Sequence, residues 1–275
     1  MLFNFKLRPI QDVAPWGREG NHSLSWFGLT DGWYWIDCDG HELFRRAGSI
    51  DQLLKHQGFQ LSDAPYTDYQ VVRLWEDILE ILPDVLSPIP TELLRKIRPG
   101  LTANFWHQQI AESIFTDGRE IPNSEKAKYE SATDWLGLRR LDSLYLTQGP
   151  RIWLWSDSSQ VFIHWNNTGL MMDGNELWTA QSGTYSLSRE CFIEEVRSFD
   201  RRLITAMDER VQEIQQRWER PQIRIDKNAL LSEQNQRSQW LSQAFERLKN
   251  TPQLDWQEVA DAIAHFEKLG YLIRR

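Results

Sequence analysis

The run Trp26-Phe27-Gly28-Leu29-Thr30-Asp31-Gly32-Trp33-Tyr34-Trp35-Ile36-Asp37-Cys38-Asp39-Gly40-His41-Glu42-Leu43-Phe44-Arg45 decides the fold class. Ser23 to Leu29, Trp33 to Cys38 and His41 to Arg45 are strand-like, and Thr30-Asp31-Gly32 and Asp39-Gly40 are the turns between them. A two-residue turn at Asp39-Gly40 sets Cys38 opposite His41, Asp37 opposite Glu42, Ile36 opposite Leu43 and Trp35 opposite Phe44. One face then carries Phe27, Trp33, Trp35 and Phe44, the other Trp26, Tyr34, Ile36 and Leu43. Both faces are apolar, which predicts a sheet covered on both sides.

A second meander is expected at Arg151 to Ser156, Val161 to Trp165 and Glu176 to Ala180, with Thr184 to Leu187 as an added edge strand. The two meanders, Leu24 to Arg45 and Arg151 to Ala180, hold half of the 14 tryptophans. Each precedes an amphipathic helix. The first helix is read as opening on a capping box, Thr67-Asp68-Tyr69-Gln70, carrying Val71, Val72, Leu74, Trp75, Ile78, Leu79 and Leu82 inward, and ending or kinking at Pro83. The second is capped by Ser188, runs to about Arg220, and buries Phe192, Val196, Phe199, Leu203, Met207, Val211 and Ile214. Between them, helices are expected near Ala103 to Phe115 and Glu125 to Leu136, with a turn at Asp117-Gly118. The tail reads as two helices, one around Leu230 to Leu248 and one capped by Asp255 with Glu258 and closed by Gly270.

The fold class is therefore α+β: tryptophan-rich antiparallel meanders covered by amphipathic helices, with a C-terminal helical hairpin. Residues 1–222 form the α+β domain and 223–275 the hairpin packed on it. Val72-Arg73-Leu74-Trp75-Glu76 and Val196-Arg197-Ser198-Phe199-Asp200 match in type and spacing, which raises a degenerate repeat of 1–100 and 149–222 around a helical insert at 101–148.

The strings Pro15-Trp16-Gly17, Trp26 to Ile36, Val72-Arg73-Leu74-Trp75-Glu76-Asp77 and Phe199-Asp200-Arg201-Arg202 resemble an uncharacterised bacterial family, a domain of unknown function. The resemblance extends over most of the chain. It implies a bacterial cytoplasmic origin and brings no catalytic residue with it.

Composition narrows the function. A formal net charge of −8 and a pI near 5.3 oppose nucleic-acid backbones and anionic membranes and suit a basic protein partner. The 2 cysteines, Cys38 and Cys191, make no disulfide framework and suit a reducing compartment. The N-terminus shows no signal-peptide pattern, and no apolar run is long enough to span a bilayer, so a cytoplasmic protein is expected. No nucleotide loop, nucleophile motif or metal-ligand set stands out, and no cofactor is implied.

The candidate site residues are few. Asp37, Asp39, His41 and Glu42 gather oxygen and imidazole groups at one turn, but the register splits them between faces, which argues against a metal. Asp37 opposite Glu42, with Ser25 as their neighbour on the same face, is the better lead, because opposed carboxylates raise a pKa. Solvated strand ends are the plainer reading. Cys38 opposite His41 superficially resembles a thiolate pair, but apolar neighbours make it a buried inert thiol. Trp16, on a loop, is either an anchor or an exposed contact. Arg73 and Arg197 are helix-face partners of Glu76 and Asp200, or together an anion site if their helices lie side by side. A binding or interaction module, an immunity-like neutraliser of a basic partner, is favoured. The alternative is a hydrolase or metal-dependent enzyme using Asp37, Glu42 and His41.

Overall fold

The computed structural model describes residues 1–58, 64–97, 123–250 and 254–269. The expected helix near Ala103 to Phe115, the Asp117-Gly118 turn and the Gly270 stop lie outside them. The architecture is α+β. In chain order the elements are β1 (Phe3–Leu7), β2 (Asp31–Cys38), β3 (His41–Leu43), α1 (Gly48–His56), β4 (Thr67–Gln70), α2 (Val71–Leu86), α3 (Thr91–Ile97) and α4 (Asn123–Gly137). There follow β5 (Ile152–Ser156), β6 (Gln160–Asn166), the short pair β7 (Met171–Met172) and β8 (Asn175–Glu176), β9 (Ser182–Ser188), α5 (Arg189–Gln216), α6 (Lys227–Arg237), α7 (Trp240–Asn250) and α8 (Trp256–Lys268).

The first sheet is centred on β2, which pairs antiparallel with β1, β3 and β4. The hairpin register is as expected from Ile36–Leu43 through Asp37–Glu42 to Cys38–His41. Asp39 and Gly40 both have positive φ, +55° and +85°, the turn whose twist matches the strands it joins. The Trp35–Phe44 pairing does not form. Phe44 lies at φ +69°, which breaks the strand and turns its ring onto Tyr34 at 5.2 Å, on the opposite face from Trp35.

Ser23 to Leu29 is not a strand. The Gly28 N–H bonds to Ser25 Oγ and the Thr30 hydroxyl to the Phe27 carbonyl, so side chains take the backbone groups that a ladder needs, and Gly28–Thr30 closes a 3-10 turn. The N-terminal strand β1 fills the place beside β2 instead. Thr67 to Gln70, read as a capping box, is strand β4, paired with β2 from Tyr34 to Asp31. Gln70 therefore enters α2 in extended conformation without a side-chain cap.

The sheet's second face is covered only in part, Trp33 being buried at 7% exposure and Trp35 half-buried. Tyr34, Ile36 and Cys38 enter the core, whereas Trp33 lies under the Arg8 guanidinium at 4.5 Å and half-buried Trp35 stacks on Tyr66 at 4.0 Å. The second sheet, β5-β6-β9, does have two covered faces. Ile152, Leu154, Val161, Ile163 and Trp165 enter the main core, and Trp153, Trp155 and Phe162 enter a second core with α3, α4 and α8. Its third strand is β9 rather than Glu176 to Ala180. β9 needs a glycine at Gly183, since a Cβ there would overlap the Trp165 ring.

Helix α2 runs through Pro83 to Leu86 instead of stopping. Proline has no N–H to give the carbonyl four residues back. That carbonyl, Leu79 O, accepts from Arg247 Nη2 of α7 at 2.8 Å, so the tail supplies the missing donor. Ser188 caps α5 through the Cys191 N–H, and the seven expected apolar residues of α5 are all buried. The helix ends at Gln216, short of Arg220.

The tail is helical, with its first helix divided at Ser238-Gln239 and Asp255 capping α8 as read. Its helices dock on α5, α2 and α4 respectively. At the α2 joint, Arg237 lies 4.5 Å from both Trp26 and Trp240, and Trp240 stacks on Trp75 at 5.5 Å. Polar groups there are paired across the joint: Trp26 Nε1 donates to Gln234, Trp75 Nε1 to Asp200, and Arg237 to Glu76 and Glu233.

Candidate functional site

Of the strand-end residues singled out from sequence, His41 and Glu42 line a cleft of about 420 Å³ between the β2–β3 turn, the start of α1 and residues 179–180, and Asp37 and Asp39 do not. His41 and Glu42 face it together with Arg45, Arg46 and Asp51. Its charges are neutralised from within. Glu42 pairs with Arg45 and accepts from the Tyr66 hydroxyl at 2.6 Å, and Asp51 pairs with Arg46 at 2.8 Å. Burial pushes the Glu42 carboxyl up, but the Tyr66 and Arg45 hydrogen bonds outweigh it and hold the group below its ordinary value.

Asp37 is opposite Glu42 as expected, yet its Oδ1 accepts the Gly40 N–H at 2.8 Å and so closes the turn. Ser25 is not on this sheet. His41 is exposed, its ring 5.5 Å from Trp165, and Cys38 is buried, its thiol pushed up to about 12 by burial with Asp37 nearby. Among the described residues no group of His, Cys, Asp and Glu is arranged to hold a metal.

A second cleft, about 470 Å³, opens between α2 and α7 and holds groups that the sequence reading passed over. Glu76, Asp77, Glu80 and Asp142 line it with Arg73, Arg247 and Trp240. Glu76 is held by Arg73 and Arg237, but no ion pair reaches Asp77, Glu80 or Asp142 among the described residues. Asp77 is 7% exposed and accepts from Tyr145 Oη at 3.2 Å. Tyr145 is in turn within 3.1 Å of Tyr34 Oη and stacks on Tyr69 at 4.9 Å. Burial pushes the Asp77 carboxyl up to about 8; Asp142 and Glu76 add to this, while the Tyr145 hydrogen bond and Arg73 oppose it.

Of the other sequence candidates, Arg73 lines this cleft and Trp16 and Arg197 do not. Arg73 pairs with Glu76 at 3.2 Å and covers the Phe27 ring at 5.0 Å, and Phe27 meets Trp16 edge-on at 6.2 Å. Trp16 is 53% exposed, so its ring is not an anchor buried in the core. Arg197 pairs with Glu194 at 2.7 Å, not with Asp200, whose carboxylate is taken by the Trp75 indole. Arg73 and Arg197 each have their own carboxylate and cover different rings, Phe27 and Phe245, although α2 and α5 are in contact.

A family model described as "Family of unknown function (DUF5984)" matches residues 2–262. The chain belongs to this family. No curated protein and no solved structure matches it. Both clefts of this DUF5984 protein lie within the matched span, and no described helix is long and apolar enough to cross a membrane.

In this DUF5984 member the α2–α7 cleft sets Glu80 and Asp142 beside the buried Asp77 carboxyl, with Arg73 and Arg247 in the same lining. The folded chain keeps the Asp77 proton at pH values where an unfolded aspartate has lost it, from its ordinary 3.8 up to about 8. Bound protons in the folded state then exceed those in the unfolded state, so this group makes stability fall as pH rises across that window. Urea midpoints of the parent and of Asp77→Asn, compared from about pH 5 to pH 9, are expected to shift steadily in the variant's favour as pH rises and to level off above about pH 8. Parallel pH profiles would mean that Asp77 titrates as an ordinary carboxylate.

Proposed function

We propose that this protein is a binding module for a basic protein partner, a cytoplasmic neutraliser in the manner of an immunity protein, and that the partner's lysine or arginine enters the α2–α7 cleft. The observation that carries this reading is the set Asp77, Glu80 and Asp142, three carboxyl groups around one cleft that no ion pair reaches among the described residues, although Arg73 and Arg247 line the same cleft. A cation there offsets the repulsion between Asp77 and Asp142 and displaces the Asp77 proton. Apolar contacts flank the charge: Leu144 is 83% exposed two residues from Asp142, and Trp240 lines the cleft. Half-buried Trp240 and exposed Leu144 supply apolar anchors beside the exposed Glu80 and Asp142 carboxylates, and aromatic anchors of this kind are enriched in binding hot spots. The net charge of −8 steers basic partners toward the molecule and repels nucleic acid.

Calorimetric titration with oligolysine and oligoarginine peptides, against an oligoglutamate control, tests the reading. Binding of the basic peptides is expected to release protons, to tighten as pH rises toward 8 (the Asp77 value), and to weaken at least about tenfold, roughly 1.4 kcal/mol, in Asp77→Asn. Equal affinity in the parent and the variant would remove the cleft from the interface.

A carboxyl that titrates near neutrality beside a phenol also suits a general acid. That observation keeps a hydrolase as the second reading, with Asp77 in place of the strand-end carboxylates. Turnover of chromogenic esters or phosphoesters, lost in Asp77→Asn, would favour it.

A further inference from the structure

Strand edges divide this protein's surface into protected and open parts. The outer edge of β5 is covered by the segment Arg139–Leu141, with bonds from Leu154 N–H to Arg139 O and from Leu141 N–H to Ile152 O. On β1 the outward carbonyl of Phe3 accepts from Arg202 Nη2 at 2.5 Å. β9 has no such cover. It pairs with β6 along one side from Ser182 to Ser188, and among the described residues no other segment bonds its backbone.

Which groups are open follows from the alternation of an antiparallel ladder. Asn167 N–H bonds to Gln181 O and Arg189 N–H to Ser159 O, one at each end of the pair. Counting by twos between them directs the N–H and C=O groups of Gly183, Tyr185 and Leu187 toward β6. Those of Ser182, Thr184 and Ser186 therefore point away, and these three residues are exposed. The strand, Ser182-Gly183-Thr184-Tyr185-Ser186-Leu187-Ser188, has no charge, no proline and no bulge, so it lacks the devices that normally discourage edge pairing.

We propose that β9 is a self-association edge: two copies of this chain pair antiparallel through β9 about a two-fold axis at Tyr185. The occupant follows from charge. At −8 per chain, most of the surface of a second copy meets like charge, whereas β9 itself carries none, the nearby Asp39 and Glu195 carboxylates belonging to neighbouring segments. The symmetry also suits the open groups. Thr184 of one copy exchanges both backbone bonds with Ser186 of the other, and the two Tyr185 rings form a cross-strand aromatic pair. An interface centred on one seven-residue strand lies at the small end of protein interfaces, so association is reversible and concentration dependent.

Sedimentation equilibrium of the full chain at moderate salt is the test, with a concentration series for the parent, Ser186→Pro and Ser186→Lys. Ser186 is chosen because its N–H points outward, so proline there spares the bonds to β6. Thr184 is unsuitable, its hydroxyl being 2.9 Å from His164 Nδ1. The expected result is a parent mass rising with concentration toward twice 32.5 kDa, and variants that stay at 32.5 kDa with unchanged circular dichroism and melting. Should proline perturb the fold, Ser186→Lys alone decides. A parent that remains at the single-chain mass up to millimolar concentration overturns the proposal, and so does a Ser186→Lys variant that still associates like the parent.

Discussion

Trp75→Ala is expected to lower the unfolding free energy by about 3–5 kcal/mol, the range for truncating a fully buried aromatic. Trp75 is 1% exposed; its ring packs on Trp240 and its indole N–H satisfies Asp200. The variant loses the buried area and the stack, and leaves a carboxylate already raised by burial without its donor. Trp35→Ala is the contrast. The sequence pattern makes both tryptophans core residues, but Trp35 is half-buried on the outer face of its sheet, against Tyr66, and its loss is expected to cost well under half as much. Urea denaturation of both variants, with slopes compared to confirm two-state behaviour, measures the difference. Equal losses would mean that the outer face of β2 is as well buried in solution as the core face of α2.

Removing Arg237 strikes the joint between the tail and the body. Its side chain is 9% exposed, with the guanidinium bonded to Glu76 at 2.6 Å and to Glu233 at 2.8 Å and covered by Trp26 and Trp240. Breaking a buried pair by deleting one partner costs about 3–5 kcal/mol, because the remaining charge stays desolvated. Here Glu76 is also held by Arg73, which places Arg237→Ala near the low end of that range. Arg237→Lys keeps the charge but loses the planar fork and the stacking, so an intermediate loss is expected. If chemical denaturation shows Lys and Ala variants equally stable with the parent, the stack contributes nothing to holding α6 and α7 on α2.

Where periodicity was strong, the chain could be read directly. The α5 stripe from Phe192 to Ile214 buries as its spacing demands, since one face of a long helix has a single consistent partner surface. The Asp39-Gly40 turn imposed the hairpin register because few residue pairs accept two positive φ angles in succession. Phe3, Phe5 and Leu7 alternate visibly, but a short terminal run carries no sign of which strand it will join. Asp77 also left a trace: an acid three residues after Leu74 and four before Ile81 stands within the apolar side of α2, where a solvated carboxylate would not be expected.

What the sequence by itself determined was the α+β class, the tryptophan-rich cores, the caps at Ser188 and Asp255, and the tight turn. Each follows from local periodicity or from one residue's backbone preference. Only the tertiary structure decided the partner of β2, the strand state of Thr67 to Gln70, the passage of α2 through Pro83 and the cleft around Asp77. Each of these depends on groups distant in the chain: β1 against β2, Phe44 O receiving the Thr67 N–H, Arg247 supplying the donor that Pro83 lacks, and Tyr145 and Asp142 closing over Asp77. Local preference differs by fractions of a kcal/mol between such alternatives, and burial together with hydrogen-bond satisfaction across the fold outweighs it.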